Sequence, residues 1–195
     1  MNDIRELKGE PVELGLRQQD FTQEQDDVYA VLWSAAGGFG DPLERDPAKV
    51  EADINNGDVS AMAARTIYGV VLGDAGATEK EREKLRLARI VGAPSSQKVE
   101  GKVKVRATES LVVKGKRWCC AKCSTDFGSI NSNYKLGCVR NDLPIEAANP
   151  IVGDPKRFID PLPQFRQFCC PGCGLAIENE IAIESDPLLK DVELR

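Results

Sequence analysis

The chain has 195 residues, 42% of them hydrophobic, and a net charge of −5 at pH 7. Length and composition predict one or two globular domains, and no apolar run approaches the ~18 residues of a membrane span. The absence of histidine excludes Ser-His-Asp and Cys-His catalysis and imidazole metal sites. Any metal must therefore be held by cysteines or carboxylates. The first residues lack the basic and apolar regions of a signal peptide, so we predict a cytoplasmic protein.

Charge is unevenly distributed along the chain. Residues 1–97 carry 11 Lys or Arg against 18 Asp or Glu, whereas residues 98–195 carry 15 against 13. The acidic front half argues against nucleic-acid binding there, because contacts to phosphates need clustered cations. The stretch 98–117 is basic, with seven cations against two acids. We interpret it as a solvated strand face, with a contact to an acidic neighbouring subunit as the alternative.

The front half is predicted to form a strand followed by helices. Asp46 before Pro47 is an N-cap with proline at the first helical position, and Gly57 is a stop signal. In chain order the pattern predicts a buried strand over 26–34 and a helix over 47–56. A short helix capped by Ser60 and ending near Gly69 follows, and then a short strand at 70–72. The last predicted helix begins at a capping box formed by Thr78 and Glu81 and ends at Gly92.

The last of these helices is charged on most faces. Its apolar stripe is thin and consists of Leu85, Leu87 and Ile90. Such a helix is either mostly solvated or packs against a partner.

From residue 98 the pattern changes to strands. The segments KVKVRA and SLVVKG alternate or nearly so, and IAIES is typical of a closing strand. The residues APSSQ, 93–97, are predicted to be a linker. The fold class is therefore α+β, with a front segment over 1–92 and a β-rich module over 98–195.

Six of the seven cysteines lie in two clusters, RWCCAKC and FCCPGC. Each contains a Cys-x-x-Cys pair, Cys120 with Cys123 and Cys170 with Cys173. A two-residue gap lets both sulfurs point at one atom, and two such knuckles supply the four thiolates of a closed structural zinc site. The 46-residue separation between the pairs is longer than the usual ~15–20. Four thiolates suit both zinc and iron. Iron in such a site would transfer electrons in a small, free-standing protein, which this chain is not, so we predict zinc.

Two alternatives to this assignment remain open. Cys119 and Cys169 could serve as ligands in place of their neighbours, although adjacent side chains on a strand face opposite ways. A redox Cys-x-x-Cys pair would normally occur once, at a helix start within a βαβ unit. Cys138 is interpreted as a core residue and as the reserve ligand.

The glycine-rich stretch GGFGDPLERDP lacks the endings of phosphate-binding loops. Its carboxylates, Asp41, Glu44 and Asp46, would repel phosphate. A tight connection from strand to helix is the favoured interpretation, with a divalent-cation site as the alternative.

Two stretches resemble known families. Residues 36–72, GGFGDPLERDPAKVEADINNGDVSAMAARTIYGVVL, resemble the C-terminal region of hydantoinase B-type subunits. The segments CAKCSTDFGSINSNYKLGCVRND and QFRQFCCPGCGLAIENEI resemble the small zinc subunit of acetone carboxylase. The residues that fit the second pattern are Cys123, Asp126, Phe127, Lys135, Leu136, Arg140, Cys170, Pro171, Cys173 and Gly174. The first knuckle departs from it, since the gap between its cysteines is shorter in that family.

These resemblances imply a small, non-catalytic zinc subunit of an ATP-dependent ketone carboxylase of the acetone or acetophenone type. The partners they imply are hydantoinase A-like and B-like large subunits in an obligate hetero-oligomer, and those subunits would bind ATP and a divalent metal. The front segment would dock on a large subunit. The alternatives are a free-standing zinc-ribbon adaptor that binds nucleic acid through 98–117, and a rubredoxin-like electron carrier.

Overall fold

The computed structural model describes residues 8–12, 14, 19–29, 38–148, 156 and 160–194. Of the strand predicted over 26–34, only residues 26–29 lie among them. They form the end of a turn and irregular chain, and Val28 and Tyr29 are mostly exposed. The rest of that prediction lies outside the described residues. None of the helices in the described part has the length and apolar character that crossing a membrane needs.

Three α-helices follow in the front segment: α1 over Pro47–Asn56, α2 over Ala61–Thr66 and α3 over Ala75–Ala88. Asp46 caps α1 through its side chain, and Gly57 ends it with a φ of 82°, as the sequence predicts. Ser60 caps α2 in the same way. A small core joins α1 to α2 and the following turn, formed by Val50, Ala64 and Val70.

Three predictions in this region are wrong. Residues 70–72 are not a strand, because the Thr78 hydroxyl bonds both the amide and the carbonyl of Val71, at 3.0 and 3.2 Å. Thr78 therefore lies inside α3 instead of capping it. The N-cap is Asp74, whose carboxylate accepts from the Ala77 amide at 2.9 Å. The helix also ends at Ala88, before Gly92.

The back half contains two antiparallel sheets. The first has the order β1-β2-β3-β4 and the second the order β5-β6-β7. Their strands are β1 Val103–Arg106, β2 Leu111–Lys114, β3 Arg117–Cys120, β4 Asp126–Ser129, β5 Val139–Pro144, β6 Pro163–Cys169 and β7 Ala176–Ile183. The predicted strands near 103–106, 111–114 and 181–183 are thus confirmed, although the last begins earlier, at Ala176.

The main core lies where the two sheets meet. Leu111, Val113 and Trp118 of the first sheet pack with Leu175 and Ile177 from the start of β7. The end of the predicted linker is not loose, because the carbonyl of Gln97 accepts from the Asp126 amide at 2.9 Å and Lys98 bridges to Thr125. The chain is therefore mixed helix and antiparallel sheet, with cysteines at the junction.

Candidate metal centre

The four predicted ligands come from two strand ends. Cys120 is the last residue of β3 and Cys123 lies in the turn after it, whereas Cys170 and Cys173 follow β6. Their sulfur atoms all lie within 4.8 Å of one another. The closest approaches across the pairs are 3.8 Å between Cys120 and Cys173, and 3.5 Å between Cys123 and Cys170. No cysteine of the chain is in a disulfide.

These spacings fit a tetrahedral metal. A zinc–sulfur bond of ~2.3 Å places the sulfurs of a tetrahedral site about 3.8 Å apart. Four thiolates are also the donor set that soft or borderline metals prefer. The residues present therefore fit one metal ion with no vacant coordination position.

The two knuckles have the same backbone. In each, the amide of the first cysteine donates to the carbonyl five residues later, at 2.9 Å in both. The residue after the second cysteine returns its amide to the carbonyl of the first, at 3.0 Å for Ser124 to Cys120 and 2.8 Å for Gly174 to Cys170. Ser124 and Gly174 both have positive φ, 64° and 68°. Each knuckle is thus a closed turn that aims two sulfurs inward.

Hydrogen bonding within the cluster separates the thiol pKa values. The side-chain hydrogen bond between Cys120 and Cys123 raises the pKa of Cys120 and lowers the pKa of Cys123. The sulfur of Cys123 also lies 3.1 Å from the hydroxyl of Thr125, which is fully buried. Thr125 is not predicted as a site residue from the sequence, because a Cys-x-x-Cys motif does not specify the residue two positions after its second cysteine.

The other three cysteines lie outside the cluster. Cys119 and Cys169 are fully buried, and their sulfurs contact the Arg117 carbonyl at 3.6 Å and the Gln167 amide oxygen at 3.5 Å. Burial raises the pKa of Cys119 and Cys138, and raises that of Cys169 to about 11. A raised pKa favours the neutral thiol, and a buried neutral thiol packs as a small apolar residue.

The acidic residues of the glycine-rich stretch are used within the protein. Asp41 pairs with Arg89 at 2.7 Å, and Glu44 contacts both Arg86 and Lys122. The third carboxylate caps α1. Among the described residues, the four cysteines form the one group with metal-binding geometry, so the divalent-cation alternative finds no support here.

Asp41 links the front segment to the second knuckle. Burial alone would raise the pKa of Asp41, but the hydrogen bond and charge of Arg89 and the amides of Ala176 and Leu43 hold it below its usual value. The Ala176 amide donates to Asp41 at 2.9 Å across 135 positions. The sequence predicts only that Asp41 lies in a tight connection. It does not predict this contact, because local sequence patterns carry no information about a partner 135 positions away.

The family model "Acetone carboxylase gamma subunit" matches residues 98–195, which is 98 of the 195 residues and includes all seven cysteines. The chain belongs to the acetone carboxylase gamma subunit family. The matched region begins where the sequence changes to strands, and it contains both sheets and the thiol cluster.

The chain also shares a short segment with a much longer protein. It is 46% identical over 46 residues to the acetone carboxylase alpha subunit of Xanthobacter autotrophicus. That match covers 24% of this chain but only 6% of the alpha subunit. The chain therefore spans only a small part of the length of this curated relative.

Proposed function

We propose that this chain is the structural zinc subunit of a heteromeric, ATP-dependent ketone carboxylase of the acetophenone or acetone type. It stabilises the assembly of hydantoinase A-like and B-like large subunits, which bind ATP and a divalent metal. The observation that carries the proposal is the gamma subunit match over a region whose four cysteine sulfurs converge. The ligands are Cys120, Cys123, Cys170 and Cys173.

The donor set supports a structural role. A zinc ion held by four thiolates has no open position for water or substrate, so it does not perform metal-assisted hydrolysis or carbonyl activation. A site of this kind contributes folding free energy, with apparent zinc binding of about 10–16 kcal/mol in small domains. We therefore assign residues 98–195 to a zinc-ribbon-like module without an active site of its own. We also propose that the chain is located in the cytoplasm.

The front segment supports a docking role. We propose that residues 1–92 derive from the C-terminal region of a hydantoinase B-like large subunit, since residues 36–72 resemble that region and a 46-residue stretch of the chain is 46% identical to an alpha subunit. Several large apolar side chains of this segment remain exposed in the described structure: Met62, Ile67, Leu72, Leu87 and Val91. Exposed apolar residues of this kind mark protein interfaces when they form a continuous patch, and the large subunit is the partner that the resemblance names.

Co-purification tests this proposal. The tagged chain is expressed in its native cell, and the masses of the captured proteins are measured after a wash in moderate salt. We expect both large subunits to co-purify and the complex alone to carboxylate ketone with ATP and bicarbonate. Turnover by the isolated chain would contradict the proposal, as would its purification free of large subunits.

The cationic strand β1 favours a second candidate. All four residues of β1 are exposed at a sheet edge, and within the described part Lys98, Lys102, Lys104 and Lys116 have no ion pair. A free-standing adaptor would use these cations to bind nucleic acid. Such binding would weaken steeply as salt increases, so a titration with single-stranded RNA at two salt concentrations distinguishes it. The net charge of −5 favours the carboxylase role.

A further inference from the structure

The C-terminal end of α3 rests directly on the second knuckle. A Cβ atom built on Gly174 would lie 2.2 Å from the carbonyl oxygen of Arg86, closer than side-chain carbons approach backbone oxygens. Gly174 is therefore required for more than its positive φ. The front segment and the knuckle touch backbone to backbone, one residue from the ligand Cys173.

A buried ion pair fixes this contact. The side chain of Asp41 is 0% exposed and that of Arg89 is 16% exposed. Arg89 also donates to the carbonyl of Gly174 at 3.2 Å, and Asp41 accepts from the amide of Ala176 at 2.9 Å. The pair thus hydrogen-bonds the chain on both sides of Leu175, which closes the second knuckle. We call Asp41 and Arg89 the knuckle clamp.

Among the described residues of the front segment, the first knuckle has no equivalent clamp. Its contact with that segment is the ion pair between Lys122 and Glu44, whose side chains are both about 40% exposed. Exposed pairs of this kind contribute little. The first knuckle is instead held by residues 97–99, which hydrogen-bond Ser124 and Asp126.

We propose that Asp41 and Arg89 are positioning residues of the metal centre, so that the metal is lost when the knuckle clamp opens. The proposal rests on the proposed function only for the presence of the metal. Buried charge-assisted hydrogen bonds hold both flanks of Leu175, so they fix the direction in which Cys170 and Cys173 present their sulfurs. Outer partners that orient metal ligands change metal affinity by about 10- to 100-fold when they are removed.

This arrangement links the front segment to metal retention. The C-terminal end of α3 packs against the second knuckle, whereas Leu87 of the same helix is exposed. The segment therefore contacts the zinc module of its own chain and leaves apolar residues for a large subunit.

The test compares two identical chemical changes in the zinc-loaded full chain. Asp41→Asn removes the negative charge of the clamp, whereas the control Asp53→Asn removes the negative charge that pairs with Arg45 at 2.7 Å and takes no part in the hydrogen bonds to Gly174 or Ala176. Zinc release is followed with a chromogenic chelator. We expect release about 10- to 100-fold faster for Asp41→Asn and an unchanged rate for Asp53→Asn. Equal rates in the two variants would overturn the proposal.

Hydrogen exchange separates the clamp from general destabilisation. The Ala176 amide, which donates to Asp41, should exchange faster in Asp41→Asn while the β2 amides remain protected. Uniformly faster exchange would assign a merely structural role and overturn the proposal. If Asp41→Asn does not fold, Arg89→Lys retains the charge but reaches at most one of the two partners, and it should give an intermediate release rate.

The same measurements separate failure of this inference from failure of the proposed function. A wild-type chain that purifies without metal would contradict the proposed metal role. Hydrogen exchange of the Ala176 amide would then test by itself whether the knuckle clamp holds this segment, since the hydrogen bond to Asp41 does not involve the metal. Unchanged exchange in Asp41→Asn would overturn the clamp.

Discussion

The two cysteine knuckles have the same backbone but different surroundings. Both close with the same hydrogen bonds, and both place the residue after the second cysteine at positive φ. Ser124 occupies that position in the first knuckle, and its hydroxyl accepts from Lys114 at 2.7 Å. Gly174 occupies it in the second, against the backbone of α3. The Cys-x-x-Cys turn is therefore the same in both knuckles, whereas the neighbouring element determines which residue can follow the second cysteine.

The strands that carry the knuckles are also stabilised differently. Beside the second knuckle, Glu180 bridges two buried cations, Lys135 at 2.9 Å and Arg166 at 3.0 Å. Lys135 additionally bonds the Leu189 carbonyl at 3.0 Å and so attaches the C-terminal residues. Beside the first knuckle, the corresponding pair is Arg117 with Asp126, and Arg117 is about half exposed. A buried network is costly to break, because it leaves an unpaired charge in the interior.

The largest expected effect comes from the cysteines themselves. Cys120→Ser and Cys170→Ser should each abolish stoichiometric zinc and leave a chain that unfolds without a cooperative transition, because the site loses one of four ligands. Metal analysis and thermal unfolding by circular dichroism measure this. Cys119→Ser and Cys169→Ser are the matched controls and should retain zinc. Loss of zinc in the controls but not in the ligand variants would reverse the assignment.

Breaking the buried network should come next. Glu180→Gln removes the carboxylate that pairs with buried Arg166 and leaves Lys135 with the longer pair to Asp191, at 3.4 Å, so we expect a loss of about 3–5 kcal/mol in the free energy of unfolding. The free energy is measured by urea denaturation in the presence of zinc. Asp126→Asn in the exposed pair should cost much less. Similar losses in both variants would show that the two hairpins do not differ as described.

Exchanging the residues at positive φ tests the comparison directly. Gly174→Ser introduces a Cβ against the Arg86 carbonyl as well as left-handed strain, and it should cost about 2–4 kcal/mol. Ser124→Gly removes the strain and one hydrogen bond, so it should change stability by less than about 1 kcal/mol. Urea denaturation of both proteins measures the difference. Equal costs would mean that α3 does not press on the second knuckle.

The smallest effect concerns acid. Burial alone would raise the pKa of Glu180, but the hydrogen bonds and charges of Lys135 and Arg166 bring this pKa below its usual value. Arg89 lowers the pKa of Asp41 in the same way. A lowered folded pKa gives stability that is present above the unfolded pKa, near 4, and lost as the pH falls through the folded value. Relative to the wild type, Glu180→Gln should therefore lose less stability between about pH 5 and pH 3. An unchanged acid dependence would contradict the shift.

The sequence predicted what local signals encode. Asp46 with Pro47 and the stop at Gly57 defined α1, and the Cys-x-x-Cys spacing selected four sulfurs that the structure brings together; their role as ligands stays a prediction. The start of α3 was misplaced, because Asp74 competes with Thr78 as a cap and only the tertiary contact to Val71 decides between them. This error reflects competition between two possible N-caps at the start of α3.

The inner face of α3 could not be predicted from hydrophobic periodicity. Arg82, Arg86 and Arg89 point inward and donate to the carbonyls of Tyr68, Leu43 and Gly174, respectively. A pattern that counts arginine as an outward residue leaves the helix with a thin apolar stripe and no visible partner. The partner lies in the same chain, and the contacts connect positions as far apart as Arg89 and Gly174, 85 residues along the sequence. Long-range polar packing of this kind carries no local signal.

Metal stoichiometry tests the central claim most directly. The full chain is purified under reducing conditions, and its zinc and iron are measured together with its free thiols before and after denaturation in a chelator. We predict about one zinc per chain, no iron, and thiols at Cys120, Cys123, Cys170 and Cys173 that react only once the metal is removed. A disulfide between these knuckles, or a chain that folds fully without metal, would contradict the account.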